Sequence, residues 1–402
     1  MEKLRLATLS ICLVHLRRLR PYKVKAGIAG TIIRNQTQLS QTLRLLDPWT
    51  FDLLTLEPSF FMSTIRRNPI TGGWVINPAG MDQAHSSLLD MEELMQQGIC
   101  PFCEGNEKYT PPEIFALRND GSQKDGPGWQ VRVVPNVSPA LKTELDLDRR
   151  AERMYDLMNA VGAHEVIVET PKHIPNTADL EVPQISRVIE TYKERVRDLK
   201  KDRRLRSVFI FKNYGERAGS SAIRHAHSQL LAVSVTPKNM KEELVGSKDY
   251  YDYKQRCVYC DIIRQELSVK KRLILEDEHF IALAPFSSRF SHEVWILPRK
   301  HSADFESIGR EETNSLATVL KETLLRLKVL LNDPPYNYIL HSGPNRTKRR
   351  KGAWKTLSED YHWHIEIMPR YVRIDGFEWG TGLYINATTP EQAAENLRNV
   401  KI

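Results

Sequence analysis

Long apolar runs are missing from this 402-residue chain. None approaches the roughly 18 residues that cross a bilayer, so a membrane-spanning helix is not expected. Cysteine is sparse, five in all, too few for a disulfide scaffold at this length. The glycine fingerprints GxGxxG and GxxxxGK[ST] do not occur, which removes the dinucleotide-fold and P-loop readings. A dominant charge of one sign is also missing. The net +8 is concentrated in residues 1–61, where nine Lys/Arg face four Asp/Glu, against 49 and 46 in the remainder. Composition alone therefore makes no case for nucleic acid.

Residues 1–61 differ from the rest in being rich in Leu, Arg, Thr and Gln and poor in acids. The apolar patch Leu4–Leu13 runs into Arg17, Arg18 and Arg20 without a small-residue cleavage site behind it. Met62 directly precedes the first segment of globular character, Ser63–Trp74. Residues 1–61 are read as an N-terminal extension outside the fold.

What organises the remainder is an internal repeat. His164-Glu-Val-Ile-Val-Glu-Thr-Pro-Lys-His173 is echoed by His292-Glu-Val-Trp-Ile-Leu-Pro-Arg-Lys-His301. Each lies downstream of a C-x-x-C, Cys100/Cys103 or Cys257/Cys260. A segment of helical period follows each, with Ile185, Val188, Ile189, Tyr192, Val196 and Leu199 on one face, and Leu316, Val319, Leu320, Leu324 and Leu327 on the other's. Then come a short apolar strand, Ser207–Gly215 or Tyr336–Gly343, and a His-x-His, His225/His227 or His362/His364. Four landmarks in the same order twice predict an α+β fold of two tandem halves, 62–240 and 250–402. Each half is a mainly antiparallel sheet with one crossing helix, and the charged stretch Lys238–Lys254 is the link between them.

In each half two thiolates and two imidazoles can complete a tetrahedron. The sets are Cys100, Cys103, His173, His225 and Cys257, Cys260, His301, His362. Four protein ligands of this S₂N₂ type suit a structural Zn²⁺, and paired thiols left for metal imply a reducing, cytoplasmic compartment. His164 and His292, just ahead of their strands, have the plainer reading of structural histidines.

The segment Asn213–Gln229 carries the chemistry. Ala218, Gly219, Ser220 and Ser221 form a loop of small residues whose backbone N–H groups can surround phosphate oxygens. Strand alternation then puts His225, His227 and Gln229 on one face, so one end of the row binds metal while its middle meets substrate. A neutral imidazole attacking an α-phosphorus divides a difficult transfer into two easier steps. The Gln229 amide can donate to phosphoryl oxygens but cannot act as a general acid, which favours an acceptor that brings its own nucleophile. His364 is the counterpart of His227, but Glu366 replaces Gln229 and disfavours a phosphate there. The second half is therefore read as structural, with a metal set of His341, His364 and Glu366 as the lesser option.

With these residues in view, 62–402 resembles the transferase branch of the histidine-triad superfamily, the galactose-1-phosphate uridylyltransferases and the related ADP-glucose phosphorylases. The similar stretches are Arg67–Val75, Cys100–Cys103, Val131–Ala140, His164–His173, Asn213–Gln229, Tyr361–Pro369, Gly376–Glu378 and Thr389–Ala394. The resemblance implies ping-pong transfer through a nucleotidyl-His227, with a nucleotide sugar and sugar 1-phosphates as partners. It also implies nucleotide contacts from Asn136, Asn213, Ser220, Ser221 and Gln229, a sugar contact from Glu378, and a homodimer. Uridylyltransferases usually place Pro and Gly where this chain has Ala226 and Ser228, and a basic run where it has Asn77–Asp82. The second C-x-x-C set is closer to the ADP-glucose phosphorylase pattern. A competing nucleic-acid reading rests on the basic loop Arg346–Lys355 with Trp354; a solvated loop accounts for it more simply.

Overall fold

The computed structural model describes residues 63–402 except 80–90, 92, 120, 221–222 and 347–353. The extension 1–61, Ser221 and most of the basic loop lie outside the described residues. Among the described residues no helix is long and apolar enough to cross a membrane.

The alternating apolar segments form strands. The first six are β1 (Thr64–Arg67), β2 (Trp74–Asn77), β3 (Phe115–Arg118), β4 (Trp129–Pro135), β5 (Arg150–Glu152) and β6 (Tyr155–Asn159). Next come β7 (Gly162–Val168), β8 (Ser207–Tyr214), β9 (His227–Val233), β10 (Leu273–Glu276) and β11 (Phe280–Leu283). The last are β12 (Val294–Pro298), β13 (Tyr336–His341) and β14 (His364–Pro369). A small sheet has the order β2-β1-β6-β5, and a ten-stranded sheet the order β10-β11-β12-β14-β13-β8-β9-β7-β4-β3. All pairs in the large sheet are antiparallel. Read inward from either edge, its strands run first, second, third, fifth, fourth in chain order. The two runs meet at β8 and β13, paired from Tyr214–Tyr336 to Ile210–Leu340.

The helices Val182–Lys200 and Arg310–Leu330 cover one face of this sheet and contact each other. The residues assigned to their apolar stripes from the 3.6-residue period are all buried. Lys238–Lys254, read from the sequence as a link without regular apolar spacing, is a 17-residue helix. It buries only Met240, Leu244 and Ser247, and packs on the short helix Leu357–Asp360; so thin a stripe leaves little periodicity to detect.

Alternation along β9 decides which residues meet the helices. Leu230 and Ala232 join the helix-side core, and Ser228 accepts a hydrogen bond from Tyr192 Oη at 2.7 Å. His227 and Gln229 point to the opposite face.

Behind His227, on the helix side, lies a buried charge pair. Lys212 Nζ, on β8, donates to Glu169 Oε2 at 3.0 Å and to the His227 carbonyl at 2.8 Å. Thr177 Oγ1 donates to the same carboxylate at 2.6 Å. Tyr192 Oη lies 3.3 Å from Glu169 Oε1 and 2.6 Å from Tyr338 Oη on β13. Lys212 is 1% and Glu169 0% exposed. Burial lowers the pKa of Lys212, and the attraction of Glu169 only partly opposes it. Burial also pushes Glu169 up, but there Lys212 and the Thr177 hydroxyl outweigh it and the net shift is downward. Replacing Lys212 by Met strands the carboxylate, for which the expected loss is about 3–5 kcal/mol of unfolding free energy. Lys212→Met with Glu169→Gln should recover most of it. Urea denaturation of the single and double variants measures both; a single variant within about 0.5 kcal/mol of wild type contradicts the assignment.

Candidate active site

Strand β8 is followed by Gly215, whose φ is +82° and where a Cβ would lie 2.8 Å from Pro335 Cβ. The chain turns there through Glu216–Ala218 and reaches Gly219, also at φ +82°. Both positions need glycine's access to the left-handed region. Asn337 on β13 fixes this loop, its Nδ2 donating to Ala218 O and Asn213 Oδ1 at 2.8 Å each. Asn213 Nδ2 in turn donates to Gly219 O at 3.4 Å. Asn213 thus holds the loop and is not among the residues lining the cavity beside it.

That cavity has a volume of about 370 Å³ and lies on the sheet face away from the two long helices. Asn136, Gly219, Ser220, His227 and Gln229 give its polar lining. Phe102, Val134, Val166 and Ile223 are among its apolar walls. Five of the expected site residues therefore meet at one place. Backbone alternation accounts for His227 and Gln229, although the strand begins at His227 and not at His225.

His227 Nδ1 lies 2.7 Å from the carbonyl of His225. A carbonyl only accepts, so Nδ1 carries the hydrogen and Nε2 keeps its lone pair. Burial, reinforced by the nearby Lys212, pushes His227 down to about 4. The ring is neutral at pH 7 and carries its lone pair on the nitrogen that a nucleophile needs. Phe102 packs edge-on against it, ring centroids 5.2 Å apart.

Phe102 sits inside the C-x-x-C turn, and the cysteines beside it converge with two histidines. Cys100, Cys103, His173 and His225 each offer a ligand atom, all within 4.8 Å of one another. Cys257, Cys260, His301 and His362 do the same. The four cysteines are free thiols. Three of the histidines are oriented for the task by backbone carbonyls: His225 Nε2 bonds Thr170 O at 2.8 Å, His301 Nε2 bonds Ser358 O at 2.9 Å, and His362 Nε2 bonds Pro298 O at 3.0 Å. The Nε2–H tautomer leaves each Nδ1 facing the sulfurs, with Cys100 and Cys260 Sγ at 3.5 and 3.6 Å from His225 and His362. A carbonyl that accepts from the far ring nitrogen is the usual partner of a metal-bound imidazole, so both groups could hold a metal ion. They differ locally: Cys257 caps the helix Val258–Val269 and Cys260 lies in its first turn.

Glu378 is not brought to His227. It lies in the short helix Gly376–Thr381, where its carboxylate accepts the backbone N–H of Asp375 at 3.2 Å, and it borders a separate small hollow with Arg289 and Tyr384. Beside the second His-x-His, His341 at the end of β13 stacks on His364 with 4.8 Å between centroids. Glu243 offers a third ligand-like group there; Glu366 lies 3.7 Å from His341 Nε2 and 3.9 Å from His364 Nε2 and is itself held by Arg289 at 2.5 Å.

Three site-shaping residues escaped the sequence reading. Glu169 and Lys212 were visible only as single charges closing the apolar runs Val166–Val168 and Val208–Phe211. His164, given the plainer structural reading, lies 2.9 Å from Gln229 Oε1.

The sequence matches the model of the galactose-1-phosphate uridyl transferase N-terminal domain over residues 129–237 and that of its C-terminal domain over residues 242–402. An ADP-glucose phosphorylase of Arabidopsis thaliana is 32% identical over 343 residues, covering 84% of this chain and 93% of the relative. A galactose-1-phosphate uridylyltransferase of Thermotoga maritima is 28% identical over 355 residues, covering 85% and 99%. The crystal structure of an Arabidopsis thaliana ADP-glucose phosphorylase with bound ADP-glucose superposes with a TM-score of 0.66 at 29% identity, covering 84% of this chain and 99% of that one. Sequence, fold and the convergence of His227 with its loop lead to one assignment: the chain belongs to the galactose-1-phosphate uridyl transferase family.

Proposed function

We propose that this protein moves a nucleoside monophosphate between hexose 1-phosphates, as a UDP-glucose:hexose-1-phosphate uridylyltransferase, with His227 as the covalent carrier. The observation that carries the reading is the neutral, buried His227 with Nδ1 committed to a carbonyl, in a cavity shared with Gln229 and the Gly219–Ser220 loop. In the first step the Nε2 lone pair forms a bond to the α-phosphorus of the nucleotide sugar. The bond from that phosphorus to the bridging oxygen breaks, and its electrons leave with the sugar 1-phosphate. In the second step a phosphate oxygen of another sugar 1-phosphate attacks, and the N–P electrons return to His227. Both the leaving group and the acceptor are phosphates, so no general acid is required. This suits a site that offers an amide at Gln229. Asn136, Asn213, Gly219, Ser220 and Ser221 position the nucleotide. Glu378 contacts the sugar from across a homodimer boundary, a role suggested by its separation from His227 within one chain.

The adenylyl alternative, an ADP-glucose phosphorylase with inorganic phosphate as acceptor, is favoured by the 32% identity to the Arabidopsis relative. Both activities use the same His227 chemistry. The division into histidine-triad-like halves, 62–240 and 250–402, is supported by the matched strand order about β8 and β13. The thiol and imidazole groups fit two structural Zn²⁺ ions, held by Cys100, Cys103, His173, His225 and by Cys257, Cys260, His301, His362. The metal would supply a rigid cross-link and no part of the transfer. Thiols kept for metal accord with a cytoplasmic location.

Intact mass after mixing with UDP-glucose or ADP-glucose, without acceptor, tests the main reading. A uridylyl adduct on wild type and none on His227→Ala is expected. An adenylyl adduct transfers the assignment to the phosphorylase, and no adduct from either donor rejects the covalent route for these substrates. Elemental analysis tests the metal. Cys100→Ser and Cys257→Ser should each lose one of two zinc ions, and Cys100→Ser should also lose adduct formation, because the turn holding Phe102 against His227 loosens.

A further inference from the structure

The Gln229 amide can serve a phosphate only if it presents its NH₂ group; turned over, it would set a lone pair against the phosphoryl oxygens. Something must fix that choice, and the hydrogen bonds around His164 do so. The backbone N–H of Ala140, which can only donate, points at His164 Nδ1 from 3.2 Å. A neutral imidazole that accepts at Nδ1 carries its hydrogen on Nε2. His164 Nε2 lies 2.9 Å from Gln229 Oε1 and donates to it. Asn136 is fixed by the same kind of logic, since its Oδ1 accepts the Ser138 N–H at 2.9 Å. Its Nδ2 is left to face Gln229 Oε1 at 3.5 Å. The 3.1 Å approach of Asn136 Nδ2 to His164 Nε2 then brings together two donors converging on one acceptor. Burial lowers the pKa of His164, which keeps the ring neutral at pH 7.

We propose that His164 is a positioning residue for nucleotidyl transfer: it reads the polarity of the Ala140 N–H and passes it to Gln229, whose amide nitrogen is thereby turned into the cavity. The inference rests on the function proposed above for that cavity. His164 touches no reacting atom in this scheme and acts through Gln229 alone.

That restriction makes it testable by a double-mutant cycle on the single-turnover rate of adduct formation from UDP-glucose or ADP-glucose, whichever labels wild type. Gln229→Ala should slow labelling about 100-fold, the effect of removing one preorganised donor. His164→Ala should slow it about 10-fold, since the amide is then free to turn. The double variant should be no slower than Gln229→Ala, because there is no amide left to orient. His164→Gln, which can still donate to Gln229 Oε1, should recover most of the rate. Equal labelling of His164→Ala and wild type overturns the proposal, as does a double variant slowed by the product of the two effects. Loss of rate through poor folding would multiply in this way, so the cycle separates it from positioning. A wild type that forms no adduct rejects the parent reading, and this shows before any variant is compared. The tautomer is checked without substrate: nitrogen-15 NMR of the free protein should place the His164 hydrogen on Nε2, and an Nδ1–H ring overturns the relay.

Discussion

Lys212 carries its ammonium into the helix-covered side of the sheet, where an unpartnered charge would cost several kcal/mol. Its hydrogen bonds go to a carboxylate that follows β7 and to the carbonyl of the residue that opens β9. Three consecutive segments of the sheet are thereby held in one register at the point where His227 begins. The phenol of Tyr192, from the crossing helix, and that of Tyr338, from β13, extend the same network to the other half of the sheet. Apolar packing alone would hold these strands together but would tolerate sliding and repacking. A satisfied polar network tolerates neither, and the nucleophile's backbone is one of its members.

On the opposite face, orientation passes outward through imidazoles. His225 takes its direction from the Thr170 carbonyl and gives its own carbonyl to His227 Nδ1. The proposed metal corner and the nucleophile therefore share a residue, and the Cys100–Cys103 turn contributes Phe102 to the wall of the same cavity. Structural and chemical roles are separated by two residues along the backbone.

Much of this was legible in the sequence because it depends on residue type at fixed spacing. The His-x-His-x-Gln row, the two C-x-x-C pairs and the two helical stripes are local patterns, and the structure brings their members together. The pairing of β8 with β13 was not legible, because periodicity identifies a strand but not a neighbour more than a hundred residues away. The helix Lys238–Lys254 was missed because its buried stripe is three residues long. Glu169 and Lys212 each looked like the polar end of an apolar strand, and only their partnership explains them. His164 stands in no pattern that marks out its role, because that role depends on the polarity of a backbone N–H that no side-chain pattern records.

The meeting of β8 and β13 has a further consequence. β8 spans eight residues, and if the segment containing β10–β14 were removed, its outer edge would present a row of unpaired backbone groups, the usual template for aggregation. The segment that lacks the Gly/Ser loop and the glutamine is thus bound to the first by geometry. Its side chains are free to serve other ends, as Glu366 does in pairing with Arg289, provided that β13 continues to close that edge.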